Sequence, residues 1–104
     1  MAIPRECDYA DLKKLARFIK RRPRVVTYYE SQEMQTRLDV LCDSDHAGCL
    51  ETRRSTTGIV VRFGHGLIKT SSNIQSTNAV SSGESEYYAL VKAAVVGLSL
   101  VALL

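Results

Sequence analysis

The 104-residue chain contains no tryptophan, and its sequence lacks the features of a secreted or membrane protein. The first residues carry no apolar core of the kind that signal peptides have. The uncharged apolar run at 93–104 is shorter than the roughly 20 residues that a membrane-spanning helix needs. We therefore expect this run to be a buried helix end and not a membrane anchor, and we expect no membrane partner.

Cysteine is scarce as well. Cys7, Cys42 and Cys49 are the three cysteines of the chain, and they form no pair with the spacing of a zinc site. An odd number of cysteines without a secretory signal is typical of a reducing, intracellular compartment.

The composition that remains is that of one small globular domain. Hydrophobic residues make up 45% of the chain and charged residues 24%, which excludes a disordered polar segment. The net charge is only +3, but half of the 14 basic residues lie between Lys13 and Arg24. This cluster suits a polyanionic partner, although a solvated helix face explains it equally well.

Hydrophobic periodicity predicts an α/β chain. A helix is expected at 8–21, with Asp8 as N-cap and Pro23 beyond its end. Strands are expected at 24–29, 37–43, 57–63 and 67–71, of which the last two form a hairpin and the first is an extra strand.

A long final helix is predicted from residue 81 onward. Ser81 as N-cap and Glu84 three residues later form a capping box. Apolar residues then recur at helical spacing and predict the face that packs on the sheet. They are Tyr87, Leu90, Val91, Ala94, Val95, Leu98, Val101 and Ala102.

Two carboxylates are candidates for metal binding. Asp43 closes a predicted strand, and Glu86 lies in the first turn of the final helix. If the helix begins near the end of that strand, the two side chains can share one Mg²⁺ ion, which prefers oxygen ligands. Alternatively, Asp43 and Asp45 simply begin a turn, and Glu86 is an acid favoured by the helix dipole.

Three blocks, in this order, resemble the ribonuclease H domain of copia-type (Pseudoviridae) retrotransposon Pol polyproteins. The blocks are DSDHAG at 43–48, TRRSTTG at 52–58 and SSGESEY at 81–87. In that family they read roughly S-D-A-D-W-A-G, R-R-S-T-S-G and S-S-T-E-A-E-Y. The segment LARFIKRRP at 15–23 is similar to the segment that links reverse transcriptase to this domain.

The resemblance implies a partial ribonuclease H-like fold, with an N-terminal helix, a three-stranded antiparallel sheet and a long C-terminal helix. Residues 1–36 would be the connection to reverse transcriptase, and residues 37–104 the N-terminal half of ribonuclease H. The complete protein would hydrolyse the RNA strand of RNA–DNA hybrids with Mg²⁺, or with Mn²⁺ in its place. Its partners would be the hybrid and the rest of the Pol polyprotein, in a cytoplasmic virus-like particle or the nucleus.

Residue roles follow from the same resemblance. Asp43 and Glu86 match the first two catalytic, metal-binding carboxylates, Asp45 is a weaker metal ligand, and Ser81 and Glu84 are left as the helix cap. The expected contacts to nucleic acid are Arg53, Arg54, Ser55, Lys69, Arg21 and Arg22.

The family's third and fourth carboxylates lie downstream of the position that matches Leu104. We therefore expect a truncated, inactive fragment of the enzyme. The alternatives are a non-catalytic remnant that binds nucleic acid through its basic residues, or the product of a pseudogene.

Overall fold

The computed structural model describes residues 4–103, which form two helices and one antiparallel sheet. The elements are α1 (Glu6–Arg21), β1 (Leu38–Asp45), β2 (Thr56–Phe63), β3 (Gly66–Ile74) and α2 (Ser82–Val101). The strand order is β1-β2-β3 with antiparallel pairing throughout, and α2 packs on β1 and β2. The predicted α/β class, the hairpin and the long final helix are thus confirmed.

The register of β1 decides which side chains face α2. Val40 and Cys42 pack with the buried residues Ile59 and Val61 of β2 beneath the helix. Because successive side chains of a strand point to opposite faces, Leu41, Asp43 and Asp45 lie on the face that α2 leaves open. One face of the sheet is therefore buried, and the other is exposed among the described residues.

Helix α2 faces the sheet with small residues. Its buried positions are Ser85, Ala89, Ala93 and Gly97, which recur every fourth residue and bring the helix axis close to β1. A Cβ atom on Gly97 would lie 3.1 Å from Val40 Cγ2. The prediction that the large apolar residues of α2 form its packing face was wrong. Those residues project away from the line of buried small residues, and Leu98 is 71% exposed.

Helix α1 begins two residues earlier than predicted, and its N-cap lies three residues before Asp8. Its N-cap is Arg5, and Asp8 lies in the first turn, where its carboxylate accepts a hydrogen bond from the Arg5 backbone N–H at 2.9 Å. Asp8 therefore caps α1 from inside the helix.

Helix α1 extends away from the rest of the fold. Within residues 4–103 it packs against no strand and not against α2, although an ion pair between Arg5 and Glu51 joins its start to the loop after β1. The radius of gyration is 17.1 Å, against about 13 Å for a compact chain of 100 residues.

The strand predicted at 24–29 does not form. Residues 22–37 have no regular secondary structure, and Val25 is 88% exposed. High β-propensity is insufficient there, because no neighbouring strand supplies the backbone hydrogen bonds that a strand needs. The Tyr29 hydroxyl instead donates to the Leu67 carbonyl at 2.8 Å, which ties this segment to the hairpin.

No helix within residues 4–103 combines the length and apolar character needed to cross a membrane.

The close packing of α2 gives a first prediction. Ala93→Leu should destabilise the chain by about 1–3 kcal/mol, because Ala93 is 2% exposed and a larger side chain would push α2 off the sheet. The neighbouring substitution Ala94→Leu is the matched control, since Ala94 is exposed and should change stability by less than about 0.5 kcal/mol. Urea unfolding followed by circular dichroism measures both; equal effects would contradict the packing described here.

Candidate metal and nucleic-acid site

A hydrogen-bonded cluster of polar side chains joins the end of β1 to the first turn of α2. The Ser44 hydroxyl donates to Ser85 Oγ at 3.0 Å, and the Ser85 hydroxyl donates to the Ser82 carbonyl at 2.7 Å. Gln75 Nε2 donates to the Ser85 carbonyl at 2.9 Å and to Thr57 Oγ1 at 3.0 Å. The two bonds of Gln75 are buried, whereas the Ser44–Ser85 and Ser85–Ser82 bonds are partly buried.

The two candidate metal ligands flank this cluster in sequence. Asp43 directly precedes Ser44, and Glu86 directly follows Ser85. Both side chains are exposed. Asp43 borders a shallow groove of about 460 Å³ on the open face of the sheet, together with Leu41, Gly58 and Val60.

Asp43 and Glu86 belong to elements on different sides of the sheet. Asp43 lies on the open face, whereas α2, which carries Glu86, packs on the other. β1 is an edge strand of the sheet formed by residues 4–103, and its C-terminal end is where α2 begins. No group of three or more His, Cys, Asp or Glu residues in this part of the chain could hold a metal ion, and the shared site stays a prediction.

Asp45 has a structural partner. Its Oδ1 accepts a hydrogen bond from the Thr56 backbone N–H at 2.6 Å, which closes the loop between β1 and β2. A Cβ atom on Gly48 would overlap the Asp45 carboxylate, so only glycine fits at this position without a shift. The carboxylate therefore sets the shape of the loop, whatever ligand it also binds.

The same loop carries two of the predicted nucleic-acid contacts. Arg53 and Arg54 are exposed, and the backbone of Arg53 is left-handed with φ of 55°. Ser55 is fully buried, and its Oγ accepts a hydrogen bond from the Ala47 backbone N–H at 3.0 Å. The assignment of Ser55 as a surface contact is corrected accordingly, since its hydroxyl supports the loop from within.

The other predicted contacts are exposed but belong to separate elements. Lys69 is on β3, the strand that α2 does not cover. Arg21 ends α1 and Arg22 is its C-cap, in the part of the fold that extends from the sheet. Lys69 pairs with Val61, so its side chain lies on the face of the sheet that α2 covers at β1 and β2. That Lys69, Arg21 and Arg22 bind one polyanion together stays a prediction.

The N-terminus of α2 is capped by the two predicted residues. Ser81 Oγ accepts from the Glu84 backbone N–H at 3.1 Å. The Glu84 carboxylate reaches back to the Val80 N–H at 2.6 Å, and it also accepts from the Tyr88 hydroxyl at 2.8 Å. The hydrogen bonds that Glu84 accepts hold its pKa below the ordinary value, and the bond from the Val80 N–H has the largest effect.

Sequence reasoning missed Ser44, Ser85 and Gln75 as the residues that join strand to helix. Their signal is weak, because serine next to aspartate or at a helix start is usually read as a turn or cap residue. The recurrence of small residues every fourth position from Ser85 to Gly97 was a usable clue to the buried line of α2.

Comparison with known proteins finds two relatives of parts of this chain. It is 37% identical over 89 residues to the uncharacterized mitochondrial protein AtMg00810 of Arabidopsis thaliana, a match that covers 84% of this chain. It is 45% identical over 51 residues, or 49% of its length, to the secreted RxLR effector protein 161 of Plasmopara viticola. Each match covers 36% of the relative, so the chain spans little more than a third of their length.

No family model and no solved structure matches the chain.

The loop between β1 and β2 gives a second prediction. Gly48→Ala should destabilise the chain by about 1–3 kcal/mol, because the added methyl group displaces the Asp45 carboxylate from Thr56. Gly83→Ala is the control: a Cβ there meets nothing closer than Ser81 Oγ at 3.9 Å, and it should be neutral or stabilising by up to about 1 kcal/mol. Thermal unfolding distinguishes the two variants, and a neutral Gly48→Ala would contradict the loop structure.

The capping carboxylate gives a pH-dependent prediction. The lowered pKa of Glu84 means that the folded chain binds this proton less tightly than the unfolded chain. Its stabilising effect is therefore complete well above the ordinary value of 4.5, and it is lost as the pH falls below 4.5 through the folded-state pKa. Wild type should exceed Glu84→Gln in melting temperature at pH 7, and the difference should shrink as the pH falls below 4.5; a constant difference would contradict this.

Proposed function

We propose that this chain is a segment of a copia-type retrotransposon Pol polyprotein, comprising the end of the reverse transcriptase connection and the N-terminal half of a ribonuclease H domain. In the complete protein, Asp43 and Glu86 would be two of the carboxylates that bind Mg²⁺ for hydrolysis of the RNA strand of an RNA–DNA hybrid. The chain alone supplies half of this site.

The observation that carries the proposal is the contact between the end of β1 and the start of α2. The ordered blocks that contain Asp43 and Glu86 lie far apart in sequence, and the 3.0 Å hydrogen bond between Ser44 and Ser85 brings their neighbouring residues together. The antiparallel β1-β2-β3 sheet with a helix crossing β1 agrees with the arrangement that the resemblance implies. The match to AtMg00810 over most of this chain supports a longer parent protein.

The donor atoms fit the metal in kind. Aspartate and glutamate provide hard oxygen ligands, and Mg²⁺ commonly takes one or two protein carboxylates while keeping several waters. When bound, the ion would polarise a phosphodiester and lower the pKa of its water. What this chain contributes is the placement of Asp43 on a paired strand and of Glu86 at the fifth residue of α2, one turn later in the helix than the sequence predicts.

The basic residues would hold the nucleic acid. Arg53 and Arg54 are exposed in the loop that leaves β1 just beyond Asp43, where they can contact phosphates. Such contacts position a duplex without reading its sequence, and they weaken with rising salt.

The metal site can be tested on the purified chain. Mn²⁺ binding followed by electron paramagnetic resonance should weaken at least about tenfold in Asp43→Asn and in Glu86→Gln, because each variant removes one charged oxygen ligand. Asp11→Asn is the control, since Asp11 is an exposed residue of α1 that pairs with Lys14. Equal Mn²⁺ affinity in all four proteins would contradict the proposed site.

The same protein tests catalysis and the alternative. The 104-residue chain should not cleave an RNA–DNA hybrid, because two carboxylates cannot hold two ions in fixed geometry. Cleavage that disappears in Asp43→Asn would show a complete site instead. Salt-sensitive hybrid binding that needs Arg53 and Arg54, without Mn²⁺ binding at Asp43, would favour a non-catalytic remnant.

A further inference from the structure

Resting on the proposed function, we propose that Ser44 and Ser85 are positioning residues for the metal site. Their hydrogen bond fixes the start of α2 against the end of β1, and it thereby sets the separation of Asp43 and Glu86. Neither serine contacts the ion in this proposal.

The geometry of the serine pair suits this role. The two residues are 41 positions apart, and their hydroxyl oxygens are 3.0 Å apart. Adjacent Cα atoms are about 3.8 Å apart, so each carboxylate-bearing residue is displaced from the hydrogen bond by a single peptide unit. A sliding or rotation of α2 on the sheet would therefore break this bond while it changed the position of Glu86 relative to Asp43.

The direction of the hydrogen bond between Ser44 and Ser85 is determined by the second bond that Ser85 makes. The Ser85 hydroxyl proton is used on the Ser82 carbonyl at 2.7 Å, which leaves Ser85 Oγ to accept from Ser44. Gln75 Nε2 donates a hydrogen bond to the Ser85 carbonyl at 2.9 Å. The first turn of α2 is thus restrained at two atoms of one buried residue, and Ser44 supplies the restraint that comes from β1.

A cation site has reason to depend on such a restraint. Mg²⁺ requires nearly octahedral geometry at about 2.0–2.1 Å, so small displacements of its ligands weaken binding. Asp43 and Glu86 are themselves exposed, and they belong to elements on different faces of the sheet. Their relative position is therefore set by how β1 and α2 are joined.

The test compares Mn²⁺ affinity and stability in a set of serine variants. Ser44→Ala should weaken Mn²⁺ binding by about threefold or more, within the roughly 100-fold limit seen for residues that orient metal ligands. Ser44→Thr retains the hydroxyl and should restore the wild-type affinity. Ser99→Ala is the matched control, because the Ser99 hydroxyl donates to the Val96 carbonyl near the other end of α2.

A destabilised variant separates positioning from general loosening of the fold. Val61→Ala enlarges the core at a fully buried residue and should lower the melting temperature at least as much as Ser44→Ala. Under conditions where every variant is folded, Val61→Ala should keep the wild-type Mn²⁺ affinity.

Three outcomes would overturn the inference. If Ser44→Ala binds Mn²⁺ as wild type does while Asp43→Asn binds it more weakly, the serine pair has no positioning role and the proposed function stands. If Val61→Ala weakens binding as much as Ser44→Ala, the effect is one of stability. If Asp43→Asn has no effect on binding, the proposed function and this inference fail together.

Discussion

The close approach of α2 to β1 and β2 is the constraint on which the rest of the structure depends. It requires small residues on the buried line of the helix, and Ala89, Ala93 and Gly97 meet that requirement. At the N-terminal end of the same line, Ser85 replaces apolar contact with hydrogen bonds to Ser44 and Ser82. One helix face thus combines close packing at its centre with a directional connection at its start, and both oppose sliding of α2 on the sheet.

This constraint leaves much apolar surface exposed. Several larger side chains of α2, among them Leu90, Val95 and Leu98, point away from the sheet, and the face of the sheet that carries Leu41 is open. Helix α1 adds an apolar stripe that packs on no other element among residues 4–103, with Leu15 and Phe18 more than half exposed. Exposed apolar area of this extent is unusual for an isolated domain, and it agrees with the proposal that the chain is part of a larger protein.

Local sequence signals predicted the elements better than they predicted how the elements face one another. The N-cap Ser81 and the hairpin around Gly64 follow from short-range chemistry and were predicted correctly. The strand at 24–29 failed because pairing is a property of neighbours, which a propensity does not reveal. The buried line of α2 was missed because large apolar residues dominate a periodicity analysis, whereas the close contact with β1 requires small side chains.

The position of Asp43 shows how these two kinds of information combine. Alternation along β1 already separates Val40 and Cys42 from Leu41 and Asp43, but it does not say which face a helix will cover. Once α2 covers the first face, Asp43 must lie on the other, whereas Glu86 belongs to the helix that covers the first. The proposed ion would have two protein ligands from different elements, since no group of three or more His, Cys, Asp or Glu side chains among residues 4–103 could hold it. Because neither proposed ligand restrains the other, the accuracy of the proposed half-site would depend on the hydrogen bonds that join β1 to α2.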